Sequence, residues 1–212
     1  MTHYDFIFKI VMIGESGIGK STIMKKLIHN YFDDIVHPTI GVDFGTKNVT
    51  IKNCDQSIKF QIWDTGGREE FRSIIKSYYN KTIGVVAVFD VSNPHSFYKL
   101  EEQIKDIQRV NTKHINYVLI GNKSDLKREL FINKNLIEDF CYKYACQYFE
   151  ISAKTNTDVS EPFQYLANTI YEAYSKNPCT LAKNPGITVY NDGNVYESLN
   201  DKKSSCNCCT IS

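Results

Sequence analysis

The chain has almost no charge imbalance, a single tryptophan, few prolines and no long apolar stretch. Its 25 lysines and arginines against 24 aspartates and glutamates leave a net charge of +1, so no basic field argues for a nucleic-acid partner. No apolar run approaches the ~18 residues that a membrane span needs, and membrane attachment is therefore expected to be covalent if it occurs. Met1-Thr2-His3-Tyr4-Asp5 has neither a basic n-region nor a glycine at position 2, so neither a secretory signal nor myristoylation is expected. There is no internal repeat. Cys54, Cys141, Cys146 and Cys179 lack metal-ligand spacing and read as reduced thiols. Cys206, Cys208 and Cys209 crowd the last residues and need a separate explanation.

With 212 residues, 42% of them hydrophobic and 23% charged, there is material for one domain with a real core plus a tail. The chain is organised around Gly14-Glu15-Ser16-Gly17-Ile18-Gly19-Lys20-Ser21, followed by Thr22. This is G-x-x-x-x-G-K-S, a loop whose backbone N–H groups cradle phosphates. Phe6–Ile13 before it is a nearly unbroken apolar run, as a strand covered on both faces should be. Behind it, Ile23, Met24, Leu27 and Ile28 keep helical spacing, so a helix N-terminus points at the loop. Lys20 is placed to neutralise the outer phosphates, and the Ser21 hydroxyl to ligate Mg²⁺.

Residues 31–42 read as a long functional loop. Runs at 42–52 and 57–63 suggest a hairpin, and a polar, helical piece reaches Tyr79. Val85–Phe89, Tyr117–Ile120 and Tyr148–Ile151 are short apolar strands. Helical spacing runs through Phe97–Val110, Leu136–Tyr144 and Val159–Tyr174, the last opened by Asp158 as a cap. Alternating strands and helices predict a doubly wound α/β domain with its ligand at the carboxyl ends of the strands. The expected sheet is mostly parallel and six-stranded with one antiparallel edge strand, and helices on both faces. The domain is expected to span 1–176. From 177 to 212 periodicity is lost, predicting a flexible tail in which Ile187–Tyr190 is the one segment a partner could order.

Asp64 follows the strand ending at Trp63 and stands where a carboxylate would hold Mg²⁺ through a water. Thr65, Gly66 and Gly67 come next, and the glycines let a backbone N–H approach a terminal phosphate. Asn122-Lys123-Ser124-Asp125 closes another strand. The Asp125 carboxylate can accept two hydrogen bonds from adjacent N–H donors, as guanine has, whereas adenine would leave its charge unpaired. Lys123 can lay its alkyl stem over the purine. Ser152-Ala153-Lys154 again follows a strand, where a small residue lets a backbone N–H reach the base carbonyl.

On these motifs residues 7–175 resemble a Ras-superfamily small GTPase, specifically a Rab. Thr39-Ile40-Gly41-Val42-Asp43-Phe44, Trp63-Asp64-Thr65 with Phe71, and the Tyr78-Tyr79 pair carry that resemblance. It implies GTP and GDP as ligands with Mg²⁺, a P-loop small-GTPase fold and GTP hydrolysis to GDP. It implies that Thr39 ligates Mg²⁺ and senses the γ-phosphate, and that Phe32 packs on the guanine edge. Ile40 to Phe44 with Trp63 and Tyr78 would be read by effectors. Further implied partners are an exchange factor, a GTPase-activating protein, a Rab escort protein and a GDP-dissociation inhibitor, acting on a monomer in membrane traffic at the cytoplasmic face of membranes, with a cytosolic pool.

The pattern departs from the family at one catalytic place. Where the family has D-T-A-G-Q-E, this chain has Asp64-Thr65-Gly66-Gly67-Arg68-Glu69. The missing glutamine orients the attacking water, and arginine offers only donors. Slow intrinsic hydrolysis is expected, with a constitutively GTP-loaded membrane scaffold as the alternative and an ATP-dependent P-loop enzyme as a third reading. Cys208-Cys209-Thr210-Ile211-Ser212 resembles the Rab double-cysteine ending, and its last four residues also fit C-a-a-X. Two geranylgeranyl groups on Cys208 and Cys209 are the expected anchor, a farnesyl on Cys209 the second choice, because one chain alone binds marginally.

Overall fold

A computed structural model describes residues 4–33, 38–51, 54–67, 72–111, 114–126, 132–155, 159–176, 186–191 and 194–196. Its strands are β1 (Phe6–Ile13), β2 (Val42–Thr50), β3 (Ser57–Thr65), β4 (Gly84–Asp90), β5 (Asn116–Asn122), β6 (Gln147–Glu150), β7 (Ile187–Asn191) and β8 (Asn194–Tyr196). The helices are α1 (Lys20–His29), α2 (Arg72–Tyr78), α3 (His95–Tyr98), α4 (Leu100–Val110), α5 (Lys134–Tyr144) and α6 (Glu161–Lys176).

The central order is β2-β3-β1-β4-β5-β6, and only β2, at the edge, runs antiparallel to its neighbour within it. β1 shows why the apolar run was needed. Phe8, Ile10 and Met12 face one layer with Ile23, Leu27 and the α6 residues Phe163, Leu166 and Ile170. Val11 and Ile13 face the other, with Ile75, Leu100, Ile104, Ile107 and Phe140. A strand buried on both sides can afford no alternation of polar and apolar residues.

The expected single helix over 97–110 is two, α3 and α4, meeting at Lys99, whose own backbone stays helical (φ −73°, ψ −17°). The expected cap Asp158 lies outside the described residues.

The sheet has eight strands rather than the expected six, because β7 and β8, from the stretch read as a flexible tail, join it, with the Ile187–Tyr190 segment paired through Ile187–Val189 to β1 of this chain itself. β4 begins opposite Ile10, so the first half of β1 has an open edge on that side. β7 fills it, antiparallel, with Phe8, Ile7 and Phe6 opposite Ile187, Thr188 and Val189. The Lys9 N–H donates to the Gly186 carbonyl at 3.1 Å, and Ile187 is buried in the same core layer as Phe6 and Phe8. An unpaired edge beside a buried face is what an extended apolar segment can satisfy. β8 pairs back onto β7. Among the described residues no helix is long and apolar enough to cross a membrane.

Candidate functional site

The carboxyl ends of β1, β3, β4 and β5 carry Gly14, Asp64, Asp90 and Asn122 to one end of the sheet, where the phosphate-type loop turns into α1. Two adjoining cavities open there, both lined by Gly17, Gly19 and Thr22. One, of about 90 Å³, is closed by Ser16, Lys20, Ser21, Thr39 and Gly67. The other, of about 190 Å³, is lined by Phe32, Asn122, Asp125, Ser152, Ala153 and Lys154.

At the first cavity three oxygens converge from three separate elements. The Ser21 hydroxyl lies 2.7 Å from the Thr39 hydroxyl and donates to Asp64 Oδ2. Asp64 is fully buried, and its Oδ1 has no hydrogen-bond partner among the described residues. Burial pushes its carboxyl above the usual carboxylate range, against the pull of Lys20 and Ser21. A desolvated carboxylate with an orphaned oxygen and two hydroxyls beside it is a hard-oxygen set suited to Mg²⁺. Lys20 donates to the Gly14 and Glu15 carbonyls at 2.8 and 2.7 Å. Burial lowers its pKa to about 8, opposed by Asp64 and Glu15, so an arriving polyanion would favour the charged ammonium.

Gly66 and Gly67 sit where two loops and the phosphate-type loop nearly touch. A Cβ on Gly67 would stand 2.1 Å from the Ser16 nitrogen, and one on Gly66 2.9 Å from both the Thr39 and Gly41 carbonyls. The Gly66 N–H donates to Gly41 O at 2.8 Å. Only hydrogen at these two positions lets the segment after β3 close on both neighbours.

At the second cavity the side chains hold one another. Asn122 donates from Nδ2 to Ile18 O at 2.8 Å and accepts the Ala153 N–H on Oδ1 at 3.2 Å. One buried amide thus ties the phosphate-type loop to the loop after β6. The Ser152 hydroxyl, fully buried, donates to Asp125 Oδ1 at 2.5 Å, which fixes that carboxylate at the cavity wall. Ser152 Oγ also accepts the Lys154 and Thr155 N–H groups.

Lys123 does line this cavity, but its ammonium is anchored in a way the sequence reading missed. It donates to Gly17 O at 2.8 Å and pairs with Asp90 Oδ2 at 2.7 Å. Asp90 is itself held by the Ser92 hydroxyl and N–H. Despite a burial cost, these partners keep the Asp90 carboxyl below its ordinary range. The signal was available: Asp90 directly follows the apolar run Val85–Phe89, as Asp64 follows the run ending at Trp63. Gln103, whose Oε1 accepts the Gly14 N–H at 2.7 Å, gave no such signal.

On the outer face, Phe44, Trp63 and Tyr78 form one row, with ring centroids 4.8 and 5.2 Å apart. Lys9 sits over the Trp63 ring at 5.2 Å. Phe44 is 47% exposed and Ile40 82%. Val42 and Asp43 lead β2 beside them, paired with Thr65 and Asp64. Arg68, Phe71, Cys208 and Cys209 lie outside the described residues.

The profile of the Ras family matches residues 9–172. Over 173 residues the chain is 35% identical to the Ras-related protein RabC of Dictyostelium discoideum, covering 82% of this chain and 88% of that one. It is 34% identical over 208 residues to the Ras-related protein YPTC6 of Chlamydomonas reinhardtii, covering 96% and 95%. It is also 34% identical over 203 residues to the GTP-binding protein YPTM2 of Zea mays, covering 96% and 97%. Members of this family bind GTP and GDP with Mg²⁺, and the oxygen set at Ser21, Thr39 and Asp64 has the chemistry for that ion. The chain belongs to the Ras family of small GTPases and, within it, to the Rabs.

Proposed function

We propose that this chain is a Rab-type switch in membrane traffic that selects guanine nucleotides, hydrolyses GTP slowly without help, and recruits effectors while GTP is bound. The observation that carries the guanine reading is the Asp125 carboxylate pinned by buried Ser152 in the wall of a cavity that Phe32 also lines. Pinning matters because a carboxylate free to rotate could turn away from adenine, whereas a fixed one is left unpaired by it.

In this reading Lys20 and the N–H groups of residues 15–21 hold the phosphates. Ser21, Thr39 and, through a water, Asp64 would hold Mg²⁺, which would supply positive charge against the phosphates. Gly67 lines the same cavity as Thr39, so a terminal phosphate held by both would, on leaving, release both and loosen the two loops they belong to. The row of half-buried Trp63 and Tyr78 with exposed Phe44 and Ile40 then changes its presentation to effectors.

Arg68 has no acceptor with which to orient a water, which favours accumulation of the GTP state and gives the scaffold reading its specific support. An activating protein that supplies a glutamine and an arginine in trans would restore turnover. Two prenyl groups on Cys208 and Cys209 would anchor the chain to the cytoplasmic face, with escort and dissociation-inhibitor proteins maintaining a cytosolic pool.

Two measurements test this. Mg²⁺-GDP should bind with sub-micromolar Kd and outcompete ADP by several orders of magnitude; equal competition by ADP defeats the guanine assignment. In single-turnover assays Arg68→Gln should speed intrinsic hydrolysis by tenfold or more; unchanged rates remove the slow-hydrolysis claim.

A further inference from the structure

The C-terminus of α5 is closed by a left-handed residue, Ala145 (φ 48°, ψ 49°). The Cys146 N–H donates to the Cys141 carbonyl at 2.9 Å, and the Ala145 N–H to the Tyr142 carbonyl at 3.3 Å. This six-to-one and five-to-two pair is the Schellman cap, in which the side chains at its two ends ordinarily make an apolar contact. Here both ends are cysteines. The neighbouring thiol holds the Cys141 thiol below its ordinary pKa and, with burial, pushes that of Cys146 up. Both are partly exposed, neither is disulfide-bonded, and both pack against the core layer of Phe140 and Tyr144. Cys54 packs against the opposite layer, so the sheet separates it from the pair.

We infer that Cys141 and Cys146 are a redox modification site that closes into a disulfide across the α5 cap. The backbone already brings the two residues together, so closure asks for side-chain rotation rather than chain movement. With a peroxide as oxidant, the Cys141 thiolate attacks one peroxide oxygen, breaks the O–O bond and becomes a sulfenic acid while water or an alcohol leaves. The Cys146 thiolate, formed as its proton goes to solvent, then attacks the Cys141 sulfur. The S–S bond forms, hydroxide leaves and takes up a proton, and the two thiols have given up two electrons to the peroxide.

The bond would pin the junction where α5 passes directly into β6, the strand that ends beside Ser152. None of this depends on which nucleotide the site prefers.

The full-length GDP-loaded protein is treated with hydrogen peroxide, its remaining thiols are capped with N-ethylmaleimide, and it is digested with trypsin. Cleavage after Lys143 places the two cysteines on different peptides. The expected product is those two peptides joined, lighter than their sum by two hydrogens, and separated again by dithiothreitol. The oxidised protein should melt a few degrees higher than the reduced one, since a cross-link narrows the unfolded ensemble. In Cys146→Ser, Cys141 should stop at the sulfenic acid and be trapped by dimedone. Recovery of both cysteines as maleimide adducts after oxidation, or of Cys141 joined only to a cysteine other than Cys146, overturns the inference. The wild-type mass measurement decides this even if the variant folds poorly.

Discussion

Removing β7 from the sheet should cost stability well short of unfolding the domain. Ile187 is 1% exposed and sits in the core layer with Phe6 and Phe8. Burying such a side chain contributes about 1.5–3 kcal/mol, and truncating one to alanine in a core typically costs about 2–5 kcal/mol. The strand cannot lose more than its docking is worth, however. Its backbone bonds and apolar contacts are offset by about 1–2 kcal/mol of ordering entropy per residue, so net docking is a few kcal/mol and the variant detaches once that is spent. Ile187→Ala should therefore lower Tm by about 4–8 °C, at the roughly 2–4 °C per kcal/mol expected for a chain of this length. A truncation ending at residue 185 should lower it by a similar amount. Hydrogen exchange adds a local readout: the Lys9 amide, bonded to Gly186, should lose its protection in the truncated protein while β4 and β5 keep theirs. Equal melting temperatures and equal exchange at residues 6–9 would refute the argument that this edge needs its partner.

Three further outcomes are expected. Asp125→Asn should weaken GDP binding by at least a hundredfold and erase discrimination against purines lacking the second N–H donor, measured by competition; Ser152→Ala should show a smaller loss, about tenfold, by leaving the carboxylate free to turn. Gly66→Ala would set a Cβ 2.9 Å from the Thr39 and Gly41 carbonyls, force them away and so weaken Mg²⁺-dependent GTP binding more than GDP binding, seen as a larger rise in the GTP off-rate. Asp90→Asn should release Lys123 from its 2.7 Å ion pair and speed GDP dissociation about tenfold, the scale of one charged hydrogen bond, with unchanged melting of the nucleotide-free protein as the control.

Most of the domain was legible because its signals are local. β1, β4 and β5 are continuous apolar runs since both of their faces are covered, and α1, α4 and α6 keep one apolar stripe each. The phosphate-loop glycines, Ser21, Asp64 and Asp125 announce themselves by following apolar strands within recognisable motif spacing. What was missed depends on distance in the chain. Ile187–Tyr190 has the composition of a strand but no periodic surroundings, and whether it docks is decided by how far β4 extends alongside β1, which no window around residue 187 contains. Lys123 was read as a flat cover for a base because its partner Asp90 lies on another strand. The halves of the α5 cap, Cys141 and Cys146, looked scattered because their meeting depends on the left-handed turn at Ala145, a residue type that rarely takes that conformation.

The docked strand also rescales the chain's leash. Counted from Lys176, 32 residues precede Cys208, but counted from Tyr196, only 12 do. At roughly 3.3–3.6 Å per fully extended residue, the upper bound that chain length alone sets on the distance to Cys208 falls from about 110 Å, measured from Lys176, to about 40 Å, measured from Tyr196. A lipid carried there would hold the globular body within about one body-width of the bilayer, and peeling the strand away would let it stand off at more than twice that height. The length of chain between the sheet and Cys208 thus depends on three residue pairs at the far end of β1.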